Sequence, residues 1–376
     1  ARTMLHHSLA RVLLLLLALG CVGSHRATGQ EVINRDPTCP GCRIELQPVV
    51  SLGSTDGDGA MPTFAASARV DSAGRYIVLL IDESEPFVFD ADGSFIRRIG
   101  GPGDGPGEFR SVTALDVTKD RLTFVDRDAA RLSAFGMNFD LIETTPLPGG
   151  SVDQVLYIDA GRLVVNMASS DRASIGYAVY FFGDDLKPYA VRDRYPQVFD
   201  DIRGHMRHLM RDQEGGVWTV ARYGPLRIRK YSADGEVLGD WADDEGSELL
   251  PFSYGDPTED RPPTPQVLGA WVENGLVWVL SVVADKRWKE GLRKVEGSVR
   301  SFYVPSKPML LFDSVVEVFD PATGTIVAAE HSDGGQPELA LGGGLVARLS
   351  IDELGWTYVH VLRARLVGAS YQGSEK

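Results

Sequence analysis

The sequence predicts an all-β chain, a six-bladed β-propeller of four-stranded antiparallel blades closed by an N-terminal strand joining the last blade. Three observations predict it. A tight turn feeding a β-branched or aromatic strand recurs six times, and a second strand–turn–strand unit follows several copies. No amphipathic helix of convincing length interrupts them.

The N-terminus comes first. Arg11 precedes an unbroken apolar run from Val12 to Leu19, and Met4 is a plausible start. That run is an export-signal core, far below the ~20 residues a spanning helix needs. No later segment reaches that length, so residues 1–29 are expected to be removed and no transmembrane span is expected. Two exits compete. Ala18, Leu19 and Gly20 before Cys21 resemble a lipobox, which would acylate Cys21 and give a lipid anchor. Ala27, Thr28 and Gly29 form a second cleavage pattern leaving Gln30 first. Either places the protein outside the cytoplasm, in the periplasm, anchored to the outer membrane or extracellular.

Residues 30–42 read as a linker carrying Cys39-Pro-Gly-Cys42. In an exported chain this is most simply a local disulfide. A redox pair would want a helix N-terminus to lower a thiol pKa, whereas Arg43 to Leu52 reads as strand. Zinc would need two further ligands. The formal net charge of −14 opposes phosphate backbones and excludes nucleic acid as the main partner.

The propeller is expected over residues 43–370, with 371–376 as a tail. Its first marker places Gly74, Asp120, Gly161, Gly215, Gly275 and Gly355 at turns, spaced 46, 41, 54, 60 and 80 residues apart. Gly or Asp supplies the positive-φ position, and the alternating strand that follows suits a half-buried sheet. The second marker is a hairpin around Gly93, Gly235 and Gly324, with poorer copies at 135–141 and 181–186. Two hairpins per repeat make a four-stranded blade. Trp218, Trp278 and Trp356 share one blade position and are expected in the core between blades.

Blade two carries a family resemblance. A glycine-rich link from Gly100 to Phe109 leads to a strand ending Phe124-Val-Asp126, then Arg131, then Phe135. This resembles the NHL-repeat type of six-bladed propeller. Blade one keeps Asp82 but has Pro86 near the Arg position, and later blades keep only the turn grammar. The resemblance implies the fold, and implies similarity to secreted bacterial propellers of unassigned function. It brings no catalytic motif. Asp126 with Arg131 reads as a structural pair bracing neighbouring strands. The last repeat lacks a fourth strand, and Arg43 to Leu52 is expected to complete it, removing open sheet edges.

Loop lengths place the site. Links between a blade's middle strands, and links from blade to blade, emerge on one face. That face carries the long segments 100–110, 193–204, 240–265 and 285–313. Binding is expected there, at the channel mouth, with His205, Arg207, Arg222, Trp288 and Tyr303 as candidate residues. The acidic 240–265 and the basic 285–313 either dock on one another or are separately solvated. His205 and His208 fall on opposite faces of a strand, so a metal pair is not expected, and His205 or Arg207 is expected to face the channel. Asp56 to Gly59 reads as linker rather than a calcium loop.

No Gly-x-Ser-x-Gly nucleophile and no phosphate-cradling loop appears, so no catalytic residue is assigned. The functional expectation is a monomeric, non-catalytic propeller of the bacterial cell envelope holding a peptide, glycan or protein partner, with no cofactor. The alternative is a propeller hydrolase or lyase, such as a sugar-lactone esterase, with a divalent metal in the channel.

Overall fold

The computed structural model describes residues 30–147, 149–159, 161–195, 203–243, 257–258, 260–296 and 302–368. The expected export signal with Cys21, the 371–376 tail and most of the acidic 240–265 segment lie outside the described residues.

The chain forms six four-stranded antiparallel sheets in a ring, the six-bladed propeller expected. The innermost strands are Ala65–Val70, Val112–Val117, Ser151–Tyr157, Arg207–Arg211, Gln266–Glu273 and Leu339–Gly342, in blades one to six. Each neighbours the next, and the sixth neighbours the first. A two-stranded hairpin, Leu292–Val295 with Phe302–Pro305, is inserted between the middle strands of blade five.

Six separate apolar cores hold the ring, one in each blade-to-blade interface. Phe109, Phe124 and Phe135 pack between blades one and two, with ring centroids 5.5–5.8 Å apart. Trp218 stacks on Trp241 between blades four and five, and Trp278 on Trp271 between blades five and six. Aromatic side chains dominate because flat sheets splaying from an axis leave wide gaps that only large side chains fill.

Arg43–Leu52 is the outer strand of blade six, paired antiparallel with Thr357–Val367 from Arg43↔Val367 to Leu52↔Val359. The expected closure is present. Before reaching it, the chain straps two other blades. Glu31–Val32 pairs parallel with the outer strand of blade four, and Asn34 bridges to Thr325 on blade five. The Thr38 and Cys39 amides then donate to Ile326 O and Val327 O, and the Cys39–Cys42 disulfide closes the corner before the closing strand.

The last blade corrects one expectation. Its inner turn is Gly342-Gly343-Gly344, all at positive φ, whereas 352–355 links the two middle strands on the opposite face. The marker at Gly355 is therefore one turn out of phase, which together with the blade-five insertion gives the long last spacing. Trp356 is half-buried beside that link and belongs to none of the six cores.

Blade two matches its reading. Buried Asp126 accepts from the Arg110, Ser111 and Ala129 amides and lies 3.5 Å from Arg131 Nε. Arg131 also donates to Asp104 O and Glu108 O, holding the glycine-rich link. A Cβ on Gly100 would stand 2.5 Å from Gly107 O and from the Phe109 ring, so glycine there permits a close turn.

Candidate functional site: the central channel

The inner strands enclose a cavity of about 830 Å³ along the ring axis. All six blades line it. It reaches the tight turns at Asp71 and Ser72, Thr118 to Asp120, Asp159, and Gly342 and Gly343. Arg222 is the lining residue from the loop-rich face. The cavity thus runs along the inner strands from Ala66, Thr113, Asp153 and Arg222 at one end to the tight turns at the other.

The wall has two unlike halves. Blades five, six and one contribute small residues: Gly269, Ala270, Ala340, Gly342, Ala66 and Ser67. Blades two, three and four contribute long polar ones that bridge neighbouring strands. Arg211 pairs with Asp116, and donates to Tyr157 O at 2.7 Å and Val117 O at 2.9 Å. The Tyr157 amide donates to the same Asp116 carboxylate at 3.0 Å. Gln154 Oε1 accepts from the Leu209 amide at 2.7 Å. Arg222 Nη1 lies 3.3 Å from Asp153 Oδ2, while its buried Nε has no acceptor among the described residues.

His208 Nε2 lies 3.0 Å from Val267 O, which makes it the protonated nitrogen of a neutral ring. Burial first, then the Arg222 charge and more weakly Arg69, push its pKa down to about 3.

Arg69 stands apart on the small-residue side. Its Nη1 donates to Ala68 O at 2.8 Å, Ala340 O at 3.1 Å and Ser67 Oγ at 3.3 Å. All three acceptors are neutral. Burial lowers its pKa, with the Asp116 charge opposing.

The structure separates the sequence candidates. Arg222 lines the channel. His205 and Arg207 do not: they are buried, and Arg207 points into the interface between blades three and four. There it donates to both oxygens of Asp193, at 2.9 and 3.1 Å, and Arg229 pairs with the same carboxylate. Burial disfavours ionisation of Asp193, yet Arg207, Arg229 and Arg227 together hold its carboxyl well below the usual range. This buried cluster is structural. His208, which the strand's alternation turned away from Arg207, lines the channel instead.

Sheet geometry explains the reversal. A propeller blade lies radially, so an inner strand's side chains alternate between the two neighbouring blades, not between channel and solvent. Arg207 faces blade three and His208 faces blade five. Trp288 and Tyr303 sit on the blade-five insertion, half-buried, and neither lines the channel. Trp288 opens a short 3-10 turn, with Lys289 Nζ 5.4 Å from its ring centroid.

Among the described residues no three His, Cys, Asp or Glu side chains come together in a metal-binding group. No described helix is long and apolar enough to cross a membrane.

A family model for a six-bladed β-propeller, DUF5128, matches residues 69–189, which span blades one to three. No curated protein matches the chain. Among solved structures, a protein of Bacteroides fragilis described as exported aligns over 90% of this chain and 99% of its own, at 11% identity and TM-score 0.56. A DUF4221 member from Bacteroides vulgatus aligns over 87% and 99%, at 12% identity and TM-score 0.47. Virginiamycin B lyase from Staphylococcus aureus aligns over 86% and 100%, at 11% identity and TM-score 0.44. At such identities the likeness is one of architecture alone. The chain is a six-bladed β-propeller, similar over its first three blades to the DUF5128 propeller family.

Proposed function

We propose that the protein is a non-catalytic binding propeller of the cell envelope that takes a small molecule, or the end of a peptide or glycan, into its central channel. The observation that carries this reading is the state of the channel's polar groups. Asp116 is engaged by Arg211 and Asp153 by Arg222, and His208 is held neutral by its surroundings. A general base needs a pKa near the working pH and a lone pair aimed at substrate. His208 is far too weak a base, and Asp116 and Asp153, the aspartates nearest it along the neighbouring inner strands in the polar half of the wall, are committed to arginines. The cavity's size suits a ligand, since small-molecule sites span roughly 300–1,000 Å³.

Location in the envelope rests on the apolar run at 12–19 and on the Cys39–Cys42 bond, which belongs to an oxidising compartment. Elemental analysis of purified, dialysed protein tests the non-catalytic reading. It is expected to find no stoichiometric divalent metal. One tightly held ion per chain, whose removal by a chelator lowers Tm, would favour the metal-dependent hydrolase or lyase instead.

A further inference from the structure

We propose that the channel is a carboxylate receptor, with Arg69 as the residue that takes the ligand's acidic group; this rests on the channel-binding reading above. The channel wall contains four arginines, and three are paired with carboxylates, Arg211 with Asp116, Arg222 with Asp153 and Arg121 with Glu143. Arg69 has no such partner among the described residues. Its Nη1 is anchored by three neutral oxygens, which fixes the guanidinium plane. Its Nε and Nη2 donors have no protein acceptor among the described residues. The carboxylate whose charge acts on it, Asp116, is already occupied by Arg211 and by the Tyr157 amide.

A guanidinium always keeps its proton, so this is a fixed positive charge inside a walled channel. Such a charge is costly without a counter-charge, and no carboxylate pairs with it among the described residues. The Nε–Nη2 edge is the edge that receives a carboxylate in two parallel hydrogen bonds. Space for it lies on the same side, where Ala66, Ser67, Gly269, Ala270 and Ala340 leave the wall thin. The pKa of His208 is lowered first by burial, with the Arg222 charge and, least, the Arg69 charge adding to it.

A carboxylate could come from an acidic sugar or from a peptide C-terminus. Calorimetric titration of the full chain at pH 7, in low-salt buffer free of carboxylates, separates these sources. The probes are D-glucuronate against D-glucose, and N-acetyl-glycylglycine against its amide. At least one acid is expected to bind one-to-one, with its neutral match at least tenfold weaker. The acid that binds names the source. Arg69→Gln is expected to weaken that acid at least tenfold, and Arg69→Lys, which keeps the charge but loses the fork, by less. Should Arg69→Gln fail to fold, the His208 ring resonance in the wild-type protein, assigned by its loss in His208→Gln, is expected to shift on addition of the acid. Equal binding of an acid and its neutral match would overturn the carboxylate inference while leaving the channel as a ligand chamber. Undiminished acid binding by Arg69→Gln, or no binding by either acid, would also overturn it.

Discussion

Two titrating side chains pull the stability of this protein in opposite directions with pH. His208 has a folded pKa of about 3, below its usual 6.5, so the unfolded chain binds more protons between those values. The stability His208 contributes is present above pH 6.5 and is lost as pH falls. Glu338, at the start of blade six, is pushed up to about 7 by burial from its usual 4.5. The folded chain then binds more protons between those values, so stability falls as pH rises through that window. Each slope reaches up to about 1.4 kcal/mol per pH unit. Between pH 5 and 6.5 the wild-type protein is expected to be nearly flat in denaturant midpoint. His208→Gln is expected to lose stability as pH rises there, and Glu338→Gln to gain it; parallel profiles in all three would contradict the assignment. A separate prediction concerns Asp193, which lies between Arg207 and Arg229 in the interface of blades three and four. Asp193→Asn leaves buried guanidiniums under-compensated and is expected to cost about 3 kcal/mol in urea unfolding. His205 lies in the turn before the Arg207–Arg211 strand, so only for Arg207 did the sequence specify a strand face, opposite His208. The sequence could not show where that face points, because strand alternation specifies two sides and only the radial setting of the blade says what borders each.

Turn chemistry made the strands and hairpins legible. Positive-φ glycines at Gly74, Gly215, Gly235, Gly275 and Gly324 stand where the sequence placed them, at turns on one face. The last blade was misphased because Gly342 to Gly344 lacks the Asp-led signature, while 352–355 mimics it on the other face. The Glu31–Val32 strand gave no sequence signal, being two residues long and parallel to a distant partner. The N-terminal segment makes a testable contrast of magnitudes. Losing the Cys39–Cys42 bond frees a loop of only a few residues, a cost of about 2 kcal/mol by loop entropy. Deleting residues 30–52 removes the outer strand of blade six, with Ile44 and Leu52 leaving two of the six cores. Cys39→Ser with Cys42→Ser is expected to lower Tm by a few degrees, and the deletion by far more. A deletion that left Tm unchanged would refute the role given to the closing strand.

For the whole molecule, ring geometry decides where function can reside. Six interfaces packed by large aromatic and aliphatic side chains make the blades a rigid wall, so the axis is a chamber rather than a space the fold must fill. Loop length pointed to one face and said nothing of the channel, because a channel's volume depends on inner-strand side chains from six distant parts of the chain. No local pattern brings Ser67, Arg69, Ala270 and Ala340 together; only closure of the ring does. The central claim is that the ligand sits in this channel. A crystal structure of the full chain grown with the acid that binds in titration tests it most directly. The account predicts one ligand molecule in the channel, its carboxylate within hydrogen-bonding distance of Arg69 Nε and Nη2. An empty channel with the ligand lodged against the 285–311 insertion would contradict it.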